Sequence, residues 1–377
     1  VNKPIAPGAE LPANDYVRGL PPYVAGKPIA EVAREYGLDA ANIVKLASNE
    51  NPLGMPESAR LAILKVMGEI GRYPDANGFD LKAALAQKYQ VPEDWLTLGN
   101  GSNDILELAA RAFLSPGKSA VFSQYSFIVY PLAVQAVGAK ALVVPATKEL
   151  GHDLDAMLAA VRDDTKLVFI ANPNNPTGTF LTPAAIENFL NALPPHVMVV
   201  LDEAYNEYLE PALRFESSLW VHRFSNLIVS RTFSKAYGLA GLRVGYALSQ
   251  ASVADLLNRV RQPFNVNVLA QAAAQAALSD REFLDKTYHL NRAGYLQLAD
   301  AFGSMGLSFV PSHGNFVLVK VGEDMDAGAR VNQKLLKAGV IVRPVGNYGL
   351  PQYLRISIGL PNENLACIKA LTDALAG

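Results

Sequence analysis

Short apolar runs and longer amphipathic stretches alternate along this chain. Between about residues 51 and 261, the runs at 120–123, 141–144, 167–171, 197–202, 227–231 and 244–248 have the composition and length of buried strands. Stretches with helical spacing lie between several of them, for example at 104–113 and 183–192. Such alternation predicts an α/β fold, a mostly parallel sheet with helices on both faces. Beyond residue 263 the pattern changes. A long helical region covers about 268–305, followed by β-rich runs at 308–310, 316–321, 340–343 and 353–358, a helix over 326–338 and a terminal helix from 362. This predicts a smaller α+β domain. Before residue 28, Pro and Gly predict an irregular arm, and a short helix at 28–36 stops at Gly37. The expected organisation is an arm with part of the small domain at 1–48, a large domain at 49–262 and a small domain at 263–377.

Composition narrows the chemistry. The 377 residues are half hydrophobic and 18% charged, as in a globular enzyme of two domains. A net charge of -2 leaves no basic footprint for nucleic acid. The single cysteine, Cys367, excludes a disulfide framework and a Cys-built metal site, and the five histidines lack ligand spacing. No metal is expected, and a reducing cytoplasm fits. No apolar run approaches the length of a membrane span, and the first residues hold no apolar core of signal-peptide length.

In open parallel sheets, ligands bind outside the carboxyl ends of the strands. Three polar clusters follow apolar runs at such ends, at 172–178, 202–205 and 232–235. Lys235 stands past the run 227–229, with Thr232 and Ser234 beside it and Arg243 a short loop away. Small hydroxyls and a fixed cation suit a phosphate. An amine beside a phosphate site is what a pyridoxal-phosphate enzyme needs, since the amine forms a Schiff base with the cofactor aldehyde while the phosphate anchors the other end. Asp202 can keep a pyridine nitrogen protonated, or can simply cap the next element. Tyr205, three residues on, can hydrogen-bond the phenolate oxygen; alone it reads as a packed aromatic. Ser102 and Asn103, after Gly99-Asn-Gly, open a helix whose free N–H groups attract phosphate, although the turn also reads as an ordinary cap. Tyr125 is either a lid over the cofactor ring or a core aromatic. Arg343 and Arg355 lie in otherwise apolar strands and need an anionic partner, whether substrate or ion pair. On composition alone, the Asn-Pro-Asn-Asn-Pro-Thr-Gly segment at 172–178 is a turn, and Tyr73 and Tyr23 belong to a loop and the arm.

Together these residues make the chain resemble the class I/II aminotransferases of fold type I over nearly its full length. Ser-Arg-Thr-Phe-Ser-Lys-Ala-Tyr-Gly at 230–238 is similar to their Schiff-base motif, and Asp-Glu-Ala-Tyr at 202–205 is shared with the superfamily. The resemblance implies pyridoxal 5'-phosphate as cofactor and Asn175 as an amide donor to its phenolate oxygen. It also implies a homodimer with sites at the subunit interface, where Tyr73 reaches the neighbouring cofactor's phosphate. The segments at 18–23, 46–54, 72–75, 341–344 and 354–359 resemble the branch that transaminates a phosphorylated amino alcohol against 2-oxoglutarate. In that branch Tyr23 and Arg343 bind the substrate phosphate, and Arg355 binds the anionic group nearest the reacting carbon. An aromatic amino-acid aminotransferase and a threonine-phosphate decarboxylase of the same fold are the alternatives. A cofactor-sensing DNA-binding regulator is disfavoured by the near-neutral charge. Nicotinamide chemistry is disfavoured because the Gly-Asn-Gly turn lacks the full dinucleotide context.

Overall fold

The apolar runs between residues 96 and 248 form one seven-stranded sheet. Its order is Leu96–Gly99, Gly245–Leu248, Leu227–Thr232, Met198–Asp202, Thr165–Ala171, Ser119–Ser123, Lys140–Val144. The computed structural model describes residues 12–22 and 26–376. The five strands from Leu227–Thr232 to Lys140–Val144 are parallel, and Gly245–Leu248 is antiparallel to both neighbours. The central strands bury nearly every residue, which is why they read as unbroken apolar runs. Leu96–Gly99 lies outside the sequence-based expectation. Its four residues are too few to show a run, and pairing with Gly245–Leu248 is what buries them all.

Helices Ser102–Phe113, Val129–Ala136 and Ala251–Val260 cover one face, with Ile105, Leu108, Tyr130, Val134 and Leu257 in the core beneath them. Helices Phe79–Tyr89, Pro183–Ala192 and Val268–Leu278 cover the other, through Leu85, Phe189 and Ala270, Ala273, Ala274 and Ala277. The region expected to be helical over 268–305 is two helices. The first closes at Ser279, and Asp280 caps Arg281–Ser304, its carboxylate accepting from the Phe283 N–H at 3.1 Å. Val268–Leu278, although it follows the expected division after 262, packs into the core of the large sheet. The second helix carries Leu298 and Phe302 into the core of the smaller unit.

That unit is a four-stranded antiparallel sheet in the order Arg343–Pro344, Tyr353–Ser357, Phe316–Lys320, Phe309–Val310. Ala327–Lys337 and Pro361–Ala376 pack against it. Val44–Lys45 pairs in parallel with Val340–Ile341, so the chain enters alongside the small unit. The next residues lace the two units together. Arg355 Nη2 donates to the Ala47 carbonyl at 2.8 Å, the Asn49 N–H to Ser357 Oγ at 2.8 Å, and Asn51 Nδ2 to the Ala236 carbonyl at 2.9 Å. The small sheet is thereby tied to the loop that carries Lys235. Among the described residues no helix is long and apolar enough to cross a membrane, and no group of His, Cys, Asp and Glu could hold a metal ion.

Candidate active site

The loops at the carboxyl ends of the parallel strands, the 46–51 strap and the small sheet enclose a cavity of about 200 Å³. One end is built for an anion. Ser102 and Asn103 sit at the N-terminus of the twelve-residue helix Ser102–Phe113, whose first N–H groups have no intrahelical partner. Thr232, Ser234 and Arg243 line the same end, and the Arg243 guanidinium donates to Ser234 Oγ at 3.4 Å. Two glycines make this close assembly possible. A Cβ at Gly101, at φ 82°, would collide with the Arg243 guanidinium, and one at Gly245 would strike the Ser102 backbone nitrogen.

Lys235 lies in the middle of the cavity, its Nζ donating to the Ser48 carbonyl at 3.1 Å. Burial, reinforced by the Arg355 and Arg243 charges, pulls its proton affinity down to about 8. Asp202 is buried at the end of its strand. Its Oδ2 accepts from the Tyr130 hydroxyl at 2.9 Å, while Oδ1 has no hydrogen-bond partner among the described residues. Burial pushes this carboxyl up to about 6, against the hydrogen bond from Tyr130. The Tyr205 hydroxyl accepts from Asn49 Nδ2 at 3.0 Å, and burial raises its pKa to about 12, so it stays a protonated donor. Arg355 Nη1 donates to Asn175 Oδ1 at 2.6 Å, which fixes the amide so that its NH₂ is turned away from the arginine. Arg343 lines the wall contributed by the small sheet, as do Asn347 and Tyr348.

The structure thus gathers Lys235, Ser102, Asn103, Asn175, Asp202, Tyr205, Thr232, Ser234, Arg243, Arg343 and Arg355 around one space. Of the two readings of Tyr125, the structure shows the packed aromatic: the residue takes a left-handed conformation, φ 56°, and packs against Leu318, Val345 and Leu350 of the small unit. Phe127, two residues on, stands in the cavity wall instead. Tyr73 is 82% exposed and stacks on Phe264, with ring centroids 4.7 Å apart, away from this cavity. Tyr23 lies outside the described residues. Sequence reasoning missed Phe127, Asn49 and Tyr130. Asn49 carried a signal, being one of two asparagines in a segment already singled out at 46–54. Tyr130 carried none, since an aromatic in the apolar helix Val129–Ala136 reads as core.

The profile of the family "Aminotransferase class I and II" matches residues 41–369. The chain is 67% identical over 362 residues to histidinol-phosphate aminotransferase 2 of Ralstonia nicotianae, covering 96% of each. It is 66% identical to histidinol-phosphate aminotransferase 1 of Cupriavidus pinatubonensis, covering 98% of each. The crystal structure of histidinol-phosphate aminotransferase from Sinorhizobium meliloti in complex with pyridoxal-5'-phosphate superposes with a TM-score of 0.90 at 30% identity, covering 98% of this chain and 99% of that one.

Proposed function

This chain belongs to the class I and II aminotransferases, and we propose that it uses pyridoxal 5'-phosphate to transfer the amino group of histidinol phosphate to 2-oxoglutarate. The products are imidazole-acetol phosphate and glutamate, which places the enzyme in histidine biosynthesis, in the cytoplasm. The observation that carries this reading is the opposition of two anion-binding sets across one lysine. Ser102, Asn103, Thr232, Ser234 and Arg243 suit the cofactor phosphate, and Arg343 and Arg355 on the small-sheet side suit the anionic groups of two alternating substrates.

The residues fit the cofactor. The buried Asp202 Oδ1 offers an acceptor with no partner among the described residues, as a protonated ring nitrogen requires. The glycine-lined helix N-terminus leaves backbone room for a phosphate. Bound there, pyridoxal 5'-phosphate supplies an aldehyde carbon that bonds to amines and a ring that accepts the electron pair left when Cα loses its proton. Lys235, its proton affinity lowered to about 8, would supply a growing share of free amine as the pH approaches 8 and would carry the proton from Cα. With the cofactor bound, Asp202 would keep its ring nitrogen protonated, Tyr205 and the Asn175 amide would serve as donors to its ring oxygen, and Phe127 would supply an apolar wall. Tyr130 holds Asp202 in place. Tyr130→Phe should lower kcat by about tenfold, the order of one hydrogen bond to a charged group, with KM for both substrates little changed in steady-state assays.

Homodimerisation is part of the proposal. Leu61, Leu64, Met67, Ile70, Tyr73 and Phe79 are all exposed within one stretch of chain. Such apolar exposure marks a surface that a partner covers. A second subunit docked there gives Tyr73 its route to the neighbouring cofactor's phosphate. Leu64→Asp with Ile70→Asp should convert the dimer to monomers in sedimentation velocity and weaken cofactor retention.

The assignment is tested by mixing cofactor-loaded protein separately with histidinol phosphate and phenylalanine and following the visible absorption. Fast loss of the band with histidinol phosphate and slow loss with phenylalanine is the expected result. The reverse order makes the enzyme an aromatic amino-acid aminotransferase, and a protein that shows no band after cofactor is added refutes the role of Lys235.

A further inference from the structure

Asp202 and the Lys235 loop leave neighbouring parallel strands, and backbone pairing between those strands ends at Asp202 and Ser230. The last ladder bond runs from the Glu203 N–H to the Ser230 carbonyl, at 2.9 Å. The next register position holds Glu203 opposite Arg231. Side chains alternate across a sheet, so with Asp202 and Thr232 facing the cavity these two point to the opposite face. There they meet. Arg231 Nε donates to Glu203 Oε2 at 2.9 Å, and the two side chains are only 3% and 6% exposed. The rest of the fork is occupied too. Arg231 Nη2 donates to Glu216 Oε1 at 3.0 Å and to Ser217 Oγ at 3.2 Å, and Ser217 Oγ donates to Glu203 Oε2 at 2.7 Å. The guanidinium also lies 4.9 Å over the Tyr89 ring.

We propose that Glu203 and Arg231 are positioning residues for the transamination: their tie begins where the strand ladder stops and fixes Asp202 relative to Thr232, Ser234 and Lys235 across the cavity. A buried ion pair is a poor source of net stability, because desolvation offsets most of its attraction. It is a good source of geometry, because a forked arginine with three partners admits one arrangement. Neither side chain reaches the cavity, so the pair acts only through the residues one position away on each strand. This inference rests on the proposed function.

Two variants of the holoenzyme test it. Glu203→Leu with Arg231→Met removes the pair without leaving a lone buried charge. Arg231→Lys keeps the charge, which reaches Glu203 but cannot also fork to Glu216 and Ser217. With histidinol phosphate and 2-oxoglutarate, the double variant should lose about 10- to 100-fold in kcat, as expected for a displaced catalytic group, with KM little changed. The visible circular dichroism of its bound cofactor should change in amplitude, and Arg231→Lys should fall between it and wild type in both readouts. Wild-type kcat together with a wild-type dichroic band overturns the proposal, whatever happens to the thermal midpoint. If the double variant does not fold, Arg231→Lys decides by the same two readouts. A wild-type enzyme inactive on histidinol phosphate refutes the substrate assignment instead, because the dichroic band is read on the bound cofactor without substrate.

Discussion

Replacing Lys235 by alanine should slow transamination by about 10⁴-fold or more, the upper range of what a positioned general base contributes, while the protein still folds. Among the residues lining the cavity, Lys235 is the one amine. The two arginines opposite cannot substitute for it, because a guanidinium does not give up its proton in proteins. Neither Tyr205, held protonated by burial, nor Asp202, turned toward Tyr130, is free to carry a proton from Cα. The check is a single-turnover measurement with histidinol phosphate on cofactor-loaded protein, with far-UV circular dichroism to confirm the fold. A variant within a hundredfold of wild type would mean that another group moves the proton.

The same lysine should reveal itself in stability. Its proton affinity falls to about 8 in the folded protein, from about 10.4 for a free side chain. Below pH 8 the folded state must therefore hold a charge that burial and Arg355 oppose, and that cost is present in full. Between pH 8 and about 10.4 it fades, because the folded protein has released its proton and the unfolded chain holds its own less and less often. Cofactor-free Lys235→Met should accordingly be more stable than wild type at pH 7, by on the order of 2 kcal/mol, less the lost hydrogen bond to the Ser48 carbonyl. Urea unfolding at pH 7 and pH 10 tests the sign, and most of the advantage should be lost at the higher pH.

How much of this was legible in the sequence depends on which force sets each feature. Strands at 167–171, 197–202 and 227–231 were legible because both faces are buried and the residues had to be apolar. Lys235 and Asp202 were legible because strand ends in an open sheet converge at one rim, so residues far apart in sequence could be placed together, whereas Asn175 was legible only through the family resemblance. Phe127 was not, because the choice between it and Tyr125 turns on a single left-handed residue, and either aromatic satisfies the local pattern. The same holds for Asn49, whose contact with Tyr205 depends on the strap pairing at Val44–Lys45 with a strand nearly 300 residues away. Tyr73 reads as a loop residue in sequence and as an exposed one in the single chain. The role proposed for it would need a second subunit.

Asp202→Asn separates the two ways of reading that residue. The variant keeps the shape and can still accept from Tyr130, but a neutral amide cannot hold a proton on a ring nitrogen. Turnover of histidinol phosphate should fall about a thousandfold, the scale set by losing one preorganised electrostatic partner of the transition state. Stability should move the other way. Burial raises the Asp202 carboxyl to about 6, from about 3.9 in an unfolded chain. Above pH 6 the folded protein therefore carries a buried charge at full cost, and the cost disappears as the pH falls from 6 toward 4. The cofactor-free variant should then be more stable than wild type at pH 8 and equal to it at pH 4. A carboxylate that merely caps the end of a strand predicts the reverse pair of results, a less stable protein with unimpaired chemistry. Opposite signs for activity and stability at one position are what a group held in place for a bound partner must produce, because no described residue pairs with its Oδ1.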